Sequence, residues 1–190
     1  MVQFILIRHG EATHNVGAET EGDSAYENPA YRDAALTVKG EKQTADAGKE
    51  IAVTYPKVAA VWSSPLRRCI QTSTNIMKSI EVPADSVYVH DSLLERLGRG
   101  HICNSRALTK DIQKSWSAFR VDFLPDSGPE WNGPEPHQSV MLRMIMLLEH
   151  LKRVYASAED PVLIVSHHDA LHEVLGKSMK NAEFVVTTLS

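Results

Sequence analysis

The sequence has little cysteine and no long apolar run. Its 190 residues include two cysteines, Cys69 and Cys103, which are too few for a disulfide framework and lack C-x-x-C spacing. We therefore expect free thiols and a reducing compartment, which favours the cytoplasm. No stretch is long enough to cross a bilayer, and the apolar residues 1–7 lack the basic region and longer core of a signal peptide. The sequence thus predicts no membrane partner.

Basic charge is not in excess either. Lys and Arg number 20 against 24 Asp and Glu, so the net charge is −4. This balance lacks the electrostatic footprint of a protein that binds nucleic acid or anionic membranes. Repeats, low-complexity tracts and blocks of like charge are also absent, so nothing indicates a linker. We expect residues 1–190 to form one domain, in which any anionic ligand is attracted by a local cluster of cations.

Three short apolar runs predict the buried strands of a parallel sheet. They occupy residues 2–7, 57–62 and 161–166, and a helical pattern follows each of them. This alternation predicts an α/β fold, a three-layer αβα sandwich with a mostly parallel central sheet and right-handed crossovers. Residues 183–188 predict a last strand at the sheet edge, where a second copy can pair, so we expect a monomer or a homodimer.

Capping residues and apolar spacing locate the predicted helices. Thr37 is a suitable N-cap for a helix that runs to about Thr54, and Ser64 places a capping oxygen directly before Pro65. Apolar residues at helical spacing predict the longest helix over residues 138–157.

The segment 96–136 has a weaker pattern. A helix near 108–119 is followed by a loop rich in Pro and Gly at 124–136. Because so long a loop in a compact domain is usually functional, we predict that the segment forms a partly irregular insertion that covers the substrate. Its basic side chains either hold a second anionic group or face solvent, and the sequence leaves both alternatives open: Arg96, Arg99, His101 and Arg106.

Charged and titratable residues follow the predicted strands. Arg8 and His9 follow the first, Arg68 lies one turn into the helix after the second, and His167 and His168 follow the third. In an open parallel sheet, ligands bind beyond the carboxyl ends of the strands. One strand-end histidine is more often structural, but two arginines and two histidines in one cleft repel each other unless an anion neutralises them. Since guanidinium groups match phosphate oxygens in geometry, the pattern indicates a phosphate site.

The motifs around these residues resemble those of the histidine phosphatases, the phosphoglycerate mutase-like superfamily. Its Arg-His-Gly-Glu motif followed by Asn reads RHGEATHN at residues 8–15, and its Leu-Thr-x-x-Gly-x-x-Gln motif reads LTVKGEKQ at 36–43. Ser-Pro-Leu-x-Arg-x-x-Gln-Thr reads SPLRRCIQT at 64–72, Leu-x-Glu reads LLE at 93–95, and Ser-His stands at 166–167. The five matches keep the superfamily's order and span most of the chain.

This resemblance implies phosphoryl transfer in two steps. A ring nitrogen of His9 attacks phosphorus, Glu95 gives the leaving group its proton, and water then hydrolyses the phosphohistidine. The groups around the phosphoryl oxygens are Arg8, Arg68 and His167. A neutral imidazole is nucleophilic when its other nitrogen donates to a fixed acceptor, which we expect to be a backbone carbonyl. The resemblance implies no cofactor, and the expected partner is a small phosphorylated metabolite or a phosphoprotein.

The resemblance also implies that Asn15 contacts the phosphate, while two positions depart from the superfamily's pattern. Ala12 stands where Ser or Thr is usual, and His168 stands where Gly is usual. His168 keeps its backbone N–H, but its side chain adds bulk and a further donor beside the phosphate. We therefore expect His168 to bind substrate and to narrow the range of substrates.

Two of these residues have alternative interpretations. Glu95 can instead form a salt bridge to Arg96 or Arg99. His168 and His172 are spaced like metal ligands on one helix face. A metal ion there competes with the phosphate site for the same space, and the superfamily needs none, so we predict no metal.

The sequence favours a phosphatase over a mutase. The superfamily's mutases carry extra sequence after the acidic residue and a long tail that retain a bisphosphorylated intermediate. Residues 95–103 diverge from that pattern, and the chain ends soon after residue 188. We therefore expect water to reach the phosphohistidine. A phosphoglycerate mutase-type phosphotransferase is the alternative enzyme, and a catalytically silent module that binds a phosphorylated ligand is the alternative of another class.

Overall fold

The computed structural model describes residues 1–98 and 100–188. The described strands are β1 Phe4–Arg8, β2 Ala60–Ser63, β3 Val87–Val89, β4 Val162–Ser166 and β5 Phe184–Thr187. The described α-helices are α1 Thr13–Glu21, α2 Val38–Thr54, α3 Arg67–Ile76, α4 Thr109–Ser115, α5 His137–Val154 and α6 His168–Leu175. Short 3-10 turns occupy Gly22–Tyr26, Pro29–Tyr31, Asp91–Leu93 and Ile102–Asn104. Within these residues no helix combines the length and the apolar character that crossing a bilayer requires.

The five strands form one sheet in the order β3-β2-β4-β1-β5. All neighbouring pairs are parallel except β1 and β5, which are antiparallel. The predicted fold class, with a mostly parallel sheet and β5 at its edge, is therefore confirmed. In the register of β1 with β4, Arg8 lies opposite Ser166, and the backbone N–H of His9 donates to the Ser166 carbonyl at 3.0 Å. Residues that follow these two central strands consequently emerge side by side.

Helices cover both faces of the sheet. Phe4 and Leu6 pack with apolar residues of α5 and α6, whereas Ile5 and Ile7 pack with those of α2, α3 and α4. Every residue of β4 is buried. A strand buried on both faces reads as a continuous apolar run, which is why β1, β2 and β4 were visible in the sequence.

The sequence prediction missed β3 and α1. β3 has only three residues, too few to show a periodic pattern. α1 buries only His14 and Gly17, so it has no apolar stripe. Two predicted helices are longer than the observed ones: α5 ends at Val154, and α4 ends at Ser115.

The predicted start of α3 at Ser64 and Pro65 is wrong, whereas the cap of α2 is confirmed. The Thr37 hydroxyl accepts a hydrogen bond from a backbone N–H of the first turn of α2, at 3.0 Å. α3 begins at Arg67, whose backbone N–H donates to Oδ1 of Asp33 at 2.8 Å. The cap of α3 therefore comes from a distant loop, and the Ser64 hydroxyl is available for other contacts.

The N-terminal turn of α2 packs directly on the loop that follows β1. A Cβ atom on Gly40 would lie 2.0 Å from the Glu11 carbonyl oxygen, and one on Gly10 would lie 2.7 Å from the Gly40 carbonyl oxygen. Both distances are shorter than any van der Waals contact allows. The glycine of the motif at 36–43 is thus required for this close backbone approach.

We expect Gly40→Ala to lower the free energy of unfolding by about 1–3 kcal/mol, because the added methyl group has no space and the loop must shift. Urea denaturation measures this change. Val38→Ala is the matched control in the same turn, since Val38 is 90% exposed and should tolerate the change. A Gly40→Ala protein as stable as the wild type would show that the loop is not tightly packed.

Candidate active site

The ends of β1 and β4 and the first turn of α3 bring the predicted phosphate-site residues together. The ring centroids of His9 and His167 are 5.1 Å apart. Nε of Arg68 lies 3.3 Å from Nε2 of His9, and its Nη2 lies 3.1 Å from Nδ1 of His167. Nη1 of Arg8 donates to the Met179 carbonyl at 2.8 Å, and its guanidinium lies close enough to His9 for its charge to lower the pKa of His9. These side chains form a site that we call the cationic cup: Arg8, His9, Arg68 and His167.

His9 is held as a neutral imidazole. Its Nδ1 lies 2.7 Å from the Gly10 carbonyl oxygen, which can only accept, so Nδ1 carries the proton. The ring is 2% exposed, and burial together with the charges of Arg68 and Arg8 holds the pKa of His9 well below its usual range. Nε2 therefore has a free electron pair. The sequence predicts that a backbone carbonyl accepts the ring proton of His9, and the structure identifies this carbonyl as that of Gly10.

Side chains of two other motifs fix the loop that carries His9. The backbone N–H of Gly10 donates to Oγ1 of Thr72 at 3.2 Å, and that of Glu11 donates to Oε1 of Gln43 at 2.9 Å. Thr72 belongs to the motif at 64–72 and Gln43 to the motif at 36–43. These motifs therefore keep the Gly10 carbonyl in place, and thereby the tautomer of His9.

Arg68 is a buried cation whose hydrogen-bond partners are neutral. It is 1% exposed, and it donates to Nε2 of His9, the Cys103 carbonyl at 2.9 Å, Oδ1 of Asn104 at 2.9 Å and Nδ1 of His167. Among the described residues that hydrogen-bond Arg68, none is an acid. A buried charge normally pairs with an opposite charge, so this environment is suited to an anionic ligand.

The tautomer of His167 follows from its neighbours. A guanidinium group only donates, so Nδ1 of His167 accepts from Arg68 and the ring proton lies on Nε2. Nε2 then donates to Oγ of Ser64 at 2.7 Å. Burial and the charge of Arg68 hold the pKa of His167 well below its usual range. Burial also raises the pKa of the neighbouring Cys69 thiol, which packs here in its protonated form.

Glu95 lies at the N-terminus of α6. Its carboxylate accepts hydrogen bonds from the backbone N–H groups of Asp169 at 3.3 Å, Ala170 at 3.2 Å and Arg96 at 2.9 Å. Burial and the negative charge of Asp169 nevertheless raise the pKa of Glu95 above its usual range. A raised pKa increases the protonated fraction of this carboxyl group, and a general acid must be protonated before it acts.

The alternative in which Arg96 forms a salt bridge with Glu95 is wrong. The Arg96 side chain donates instead to the Glu135 carbonyl oxygen and to Nε2 of His137, both at 2.7 Å. Arg99, the other proposed partner, lies outside the described residues.

Asn15 and His168 make contacts around the cup. Oδ1 of Asn15 accepts from the backbone N–H of Ala12 at 3.0 Å, which caps α1. Nδ1 of His168 lies 3.0 Å from Oδ1 of Asp169, and its ring stacks on His172. In the described structure the His168 side chain therefore faces its own helix, and no group of His, Cys, Asp and Glu there is placed to hold a metal ion.

His14 is a residue of this site that sequence reasoning missed. It is 5% exposed, and its ring centroid lies 6.0 Å from that of His9. Burial, followed by the charges of Arg68 and Arg8, lowers the pKa of His14 to about 2. Its position directly before Asn15 in the first motif was the one feature of the sequence that could have indicated a place in the site. A histidine in a polar helix, however, gives no indication that it is buried.

Residues 4–183 match the model of the histidine phosphatase superfamily (branch 1). The chain belongs to this superfamily. A curated Arabidopsis thaliana protein called phosphoglycerate mutase-like protein is 28% identical to this chain. The alignment is 204 positions long, gaps included, and covers 93% of this chain and 74% of that protein. The resemblance inferred from the motifs is thus confirmed.

Solved structures share the fold of this superfamily member. The ecdysone phosphate phosphatase of Bombix mori, in complex with tungstate, superposes with a TM-score of 0.74 at 13% identity, covering 98% of this chain and 88% of that one. The phosphoserine phosphatase of Entamoeba histolytica, in complex with 3-phosphoglyceric acid, gives 0.61 at 20% identity, covering 98% and 90%. At these identities the likeness shows the fold alone.

The segment 96–136 of this superfamily member contributes directly to the cup, because Cys103 and Asn104 hold Arg68. Arg106 was expected either to hold a second anionic group or to face solvent, and it does neither. It is 8% exposed, and its guanidinium forms a bidentate pair with Asp91 at 2.8 and 3.1 Å. His101 stacks on Tyr26, with ring centroids 4.9 Å apart. A cavity of about 670 Å³ lies beside the cup, and its lining includes Asn104, His101 and Trp131.

A buried ion pair holds the loop that carries Glu95. Nε and Nη2 of Arg143 contact the two carboxylate oxygens of Glu135 at 2.9 and 3.1 Å, and Glu135 is 1% exposed. The same guanidinium donates to the carbonyl oxygens of Ser92, Leu94 and Glu95 at 2.7, 2.8 and 3.2 Å. The Glu135 carboxylate also accepts from the Leu97 backbone N–H at 3.1 Å, so the pair connects α5 to the backbone on both sides of the predicted acid.

Glu135→Gln should lower the free energy of unfolding by about 3 kcal/mol, because it leaves the charge of Arg143, whose side chain is only 18% exposed, without a counter-charge. Glu149→Gln is the matched control: the Glu149 side chain is 48% exposed, and surface pairs such as the one it forms with Lys152 contribute less than about 1 kcal/mol. Urea denaturation compares the two variants. Equal effects would mean that the buried pair does not stabilise the loop.

Proposed function

We propose that the protein is a phosphatase that hydrolyses phosphomonoesters of a small phosphorylated molecule through a phosphohistidine on His9. The observation that carries this proposal is the neutral imidazole of His9, with Nδ1 bound to the Gly10 carbonyl and Nε2 against the buried Arg68. A nucleophilic nitrogen beside a cation that lacks an acidic partner is suited to attack the phosphorus of a bound anion.

In the first step, Nε2 of His9 forms a bond to phosphorus, and the bond between phosphorus and the ester oxygen breaks. The leaving alkoxide takes the proton of Glu95, which its raised pKa keeps available. The transition state spreads charge over three equatorial oxygens, so catalysis depends on positioning and electrostatics. Arg8 and Arg68 supply the positive charge and the hydrogen-bond donors, and His167 positions Arg68 by accepting a hydrogen bond from its Nη2.

Substrate binding prepares the nucleophile. In the structure the electron pair of Nε2 of His9 accepts from Nε of Arg68 at 3.3 Å. A phosphate oxygen is a stronger acceptor for a guanidinium than a neutral ring nitrogen is. The bound phosphoryl group therefore draws the Arg68 donor to itself and leaves Nε2 free to attack.

In the second step, a water molecule attacks the phosphohistidine. The Glu95 carboxylate takes a proton from this water, the new oxygen–phosphorus bond forms, and the phosphorus–nitrogen bond breaks. The products are inorganic phosphate, neutral His9 and protonated Glu95, so the enzyme returns to its starting state.

The leaving group has space beside the cup. Asn104, which accepts from Arg68, also lines the cavity of about 670 Å³, and residues 97–98, 100–108 and 127–131 supply most of the lining. We propose that this cavity accommodates the alcohol part of the substrate and that the segment 96–136 covers it. This arrangement fits metabolite-sized esters.

Membership of the superfamily and the shared fold of proteins named as phosphatases support this function. The Arabidopsis relative is named for its likeness to phosphoglycerate mutase, which keeps the mutase as a second candidate. A mutase would exchange phosphate between phosphoglycerates, with stimulation by 2,3-bisphosphoglycerate and little net hydrolysis.

Hydrolysis of p-nitrophenyl phosphate tests the proposal. We expect the wild type to release phosphate and to form an acid-labile phosphoenzyme, and His9→Ala to do neither because it lacks the nucleophile. His150→Ala, a change at an exposed histidine of α5, is the control with normal turnover. Ligand binding without turnover by the wild type would refute the phosphatase, as would phosphoglycerate exchange without net hydrolysis.

Glu95→Gln should discriminate between leaving groups. For glycerol 2-phosphate, whose alkoxide needs a proton, we expect kcat/KM to fall by about 10²–10⁴. For p-nitrophenyl phosphate, kcat/KM should fall far less. This constant reports on the first step, and the p-nitrophenolate leaves in that step without a proton from Glu95. Equal losses for both substrates would exclude Glu95 as the acid.

The pH dependence of the wild type should show the same roles. The first step needs protonated Glu95 and neutral His9, and the raised pKa of Glu95 and lowered pKa of His9 make these forms coexist. For glycerol 2-phosphate, kcat/KM should therefore decline above the pKa of Glu95 and below that of His9. The alkaline decline should be absent in Glu95→Gln.

A further inference from the structure

Two buried side-chain nitrogens in the described part of the chain have no hydrogen-bond partner: Nε of Arg8 and Nδ1 of His14. Buried polar atoms in native proteins are nearly always paired, so such an atom indicates a missing ligand, ion or water. Arg8 belongs to the cationic cup, and His14 lies beside it. A single ligand bound at the cup could therefore offer acceptors to both atoms.

The neighbours of His14 determine its tautomer. Oδ1 of Asn15 accepts from the backbone N–H of Ala12, which fixes the orientation of the amide. Nδ2 of Asn15 then faces Nε2 of His14 at 3.3 Å, and because an amide NH₂ only donates, Nε2 must be the acceptor. The ring proton consequently lies on Nδ1, which is the orphan atom. His14 thus presents a buried N–H donor.

His14 is close enough to reach a ligand of the cup. Its ring centroid lies 6.0 Å from that of His9, and the His9 ring lies 5.1 Å from His167 on the cup. A phosphoryl group in contact with Nε2 of His9 extends its oxygens beyond that ring. Because its pKa is about 2, His14 stays neutral, so its donor adds no further positive charge to the two arginines.

We propose that His14 binds the transferring phosphoryl group, with its Nδ1–H donating to a phosphoryl oxygen. This inference rests on the proposed function and adds a residue to it. Asn15 acquires a second role as well, since its amide holds the tautomer that makes Nδ1 the donor. A ring kept only for packing would retain its contact with Tyr26, at 5.9 Å between centroids, but would need no N–H.

The wild-type protein allows a direct test by NMR. With ¹⁵N-labelled histidine, titration with inorganic phosphate should shift the Nδ1–H resonance of His14 downfield and slow its exchange with water. An unchanged resonance at saturating phosphate would overturn the inference. This measurement does not depend on whether any variant folds.

Variants test the same donor. His14→Leu fills a similar space with an apolar side chain and removes the N–H donor. We expect the dissociation constant for inorganic phosphate, measured by calorimetry, to rise about tenfold. His14→Asn places an amide N–H near the position of Nδ1 and should recover part of the affinity. His150→Leu is the control at an exposed histidine and should bind phosphate as the wild type does.

The outcomes separate this inference from the proposed function. A wild type that neither binds phosphate nor forms a phosphoenzyme would overturn both. A wild type that forms the phosphoenzyme, together with His14→Leu of unchanged phosphate affinity, would overturn only the role of His14.

Discussion

The site depends on one hydrogen bond, from Nδ1 of His9 to the Gly10 carbonyl at 2.7 Å. This bond decides which ring nitrogen keeps its electron pair. It is effective only while the carbonyl stays fixed, because a rotated peptide would release the tautomer. The side chains of Thr72 and Gln43 and the close approach of Gly40 fix that peptide. Three motifs that are far apart in the chain thus keep the ring proton of His9 on Nδ1.

The second constraint is a buried positive charge, that of Arg68, whose hydrogen-bond partners among the described residues are all neutral. Arg68 is buried among neutral acceptors, and Arg8 keeps one buried N–H unpaired. Such an arrangement costs stability in the ligand-free protein, because buried charges and donors lose their hydration. The phosphoryl group that we propose binds here would supply acceptors for these donors. The residues that carry this cost are therefore the ones that the proposed ligand would stabilise.

The proposed acid is held by a different part of the fold. Glu95 lies on a loop between β3 and the insertion, and Arg143 of α5 binds the carbonyl oxygens of this loop while it pairs with Glu135. The backbone N–H groups at the start of α6 hold the carboxylate. The proposed nucleophile and the proposed acid are thus held by different helices, so the fold sets the distance between them.

The sequence by itself determined strands β1, β2 and β4, because a continuous apolar run is a property of neighbouring residues. It also determined the members of the cationic cup, because they stand in local motifs. Tertiary structure alone decided the cap of α3 by Asp33, the pairing of Arg106 with Asp91, and the burial of His14. Each of these depends on a partner or a covering surface far along the chain. A polar residue reads the same in sequence whether it meets solvent or an opposite charge, and only the packed fold distinguishes the two.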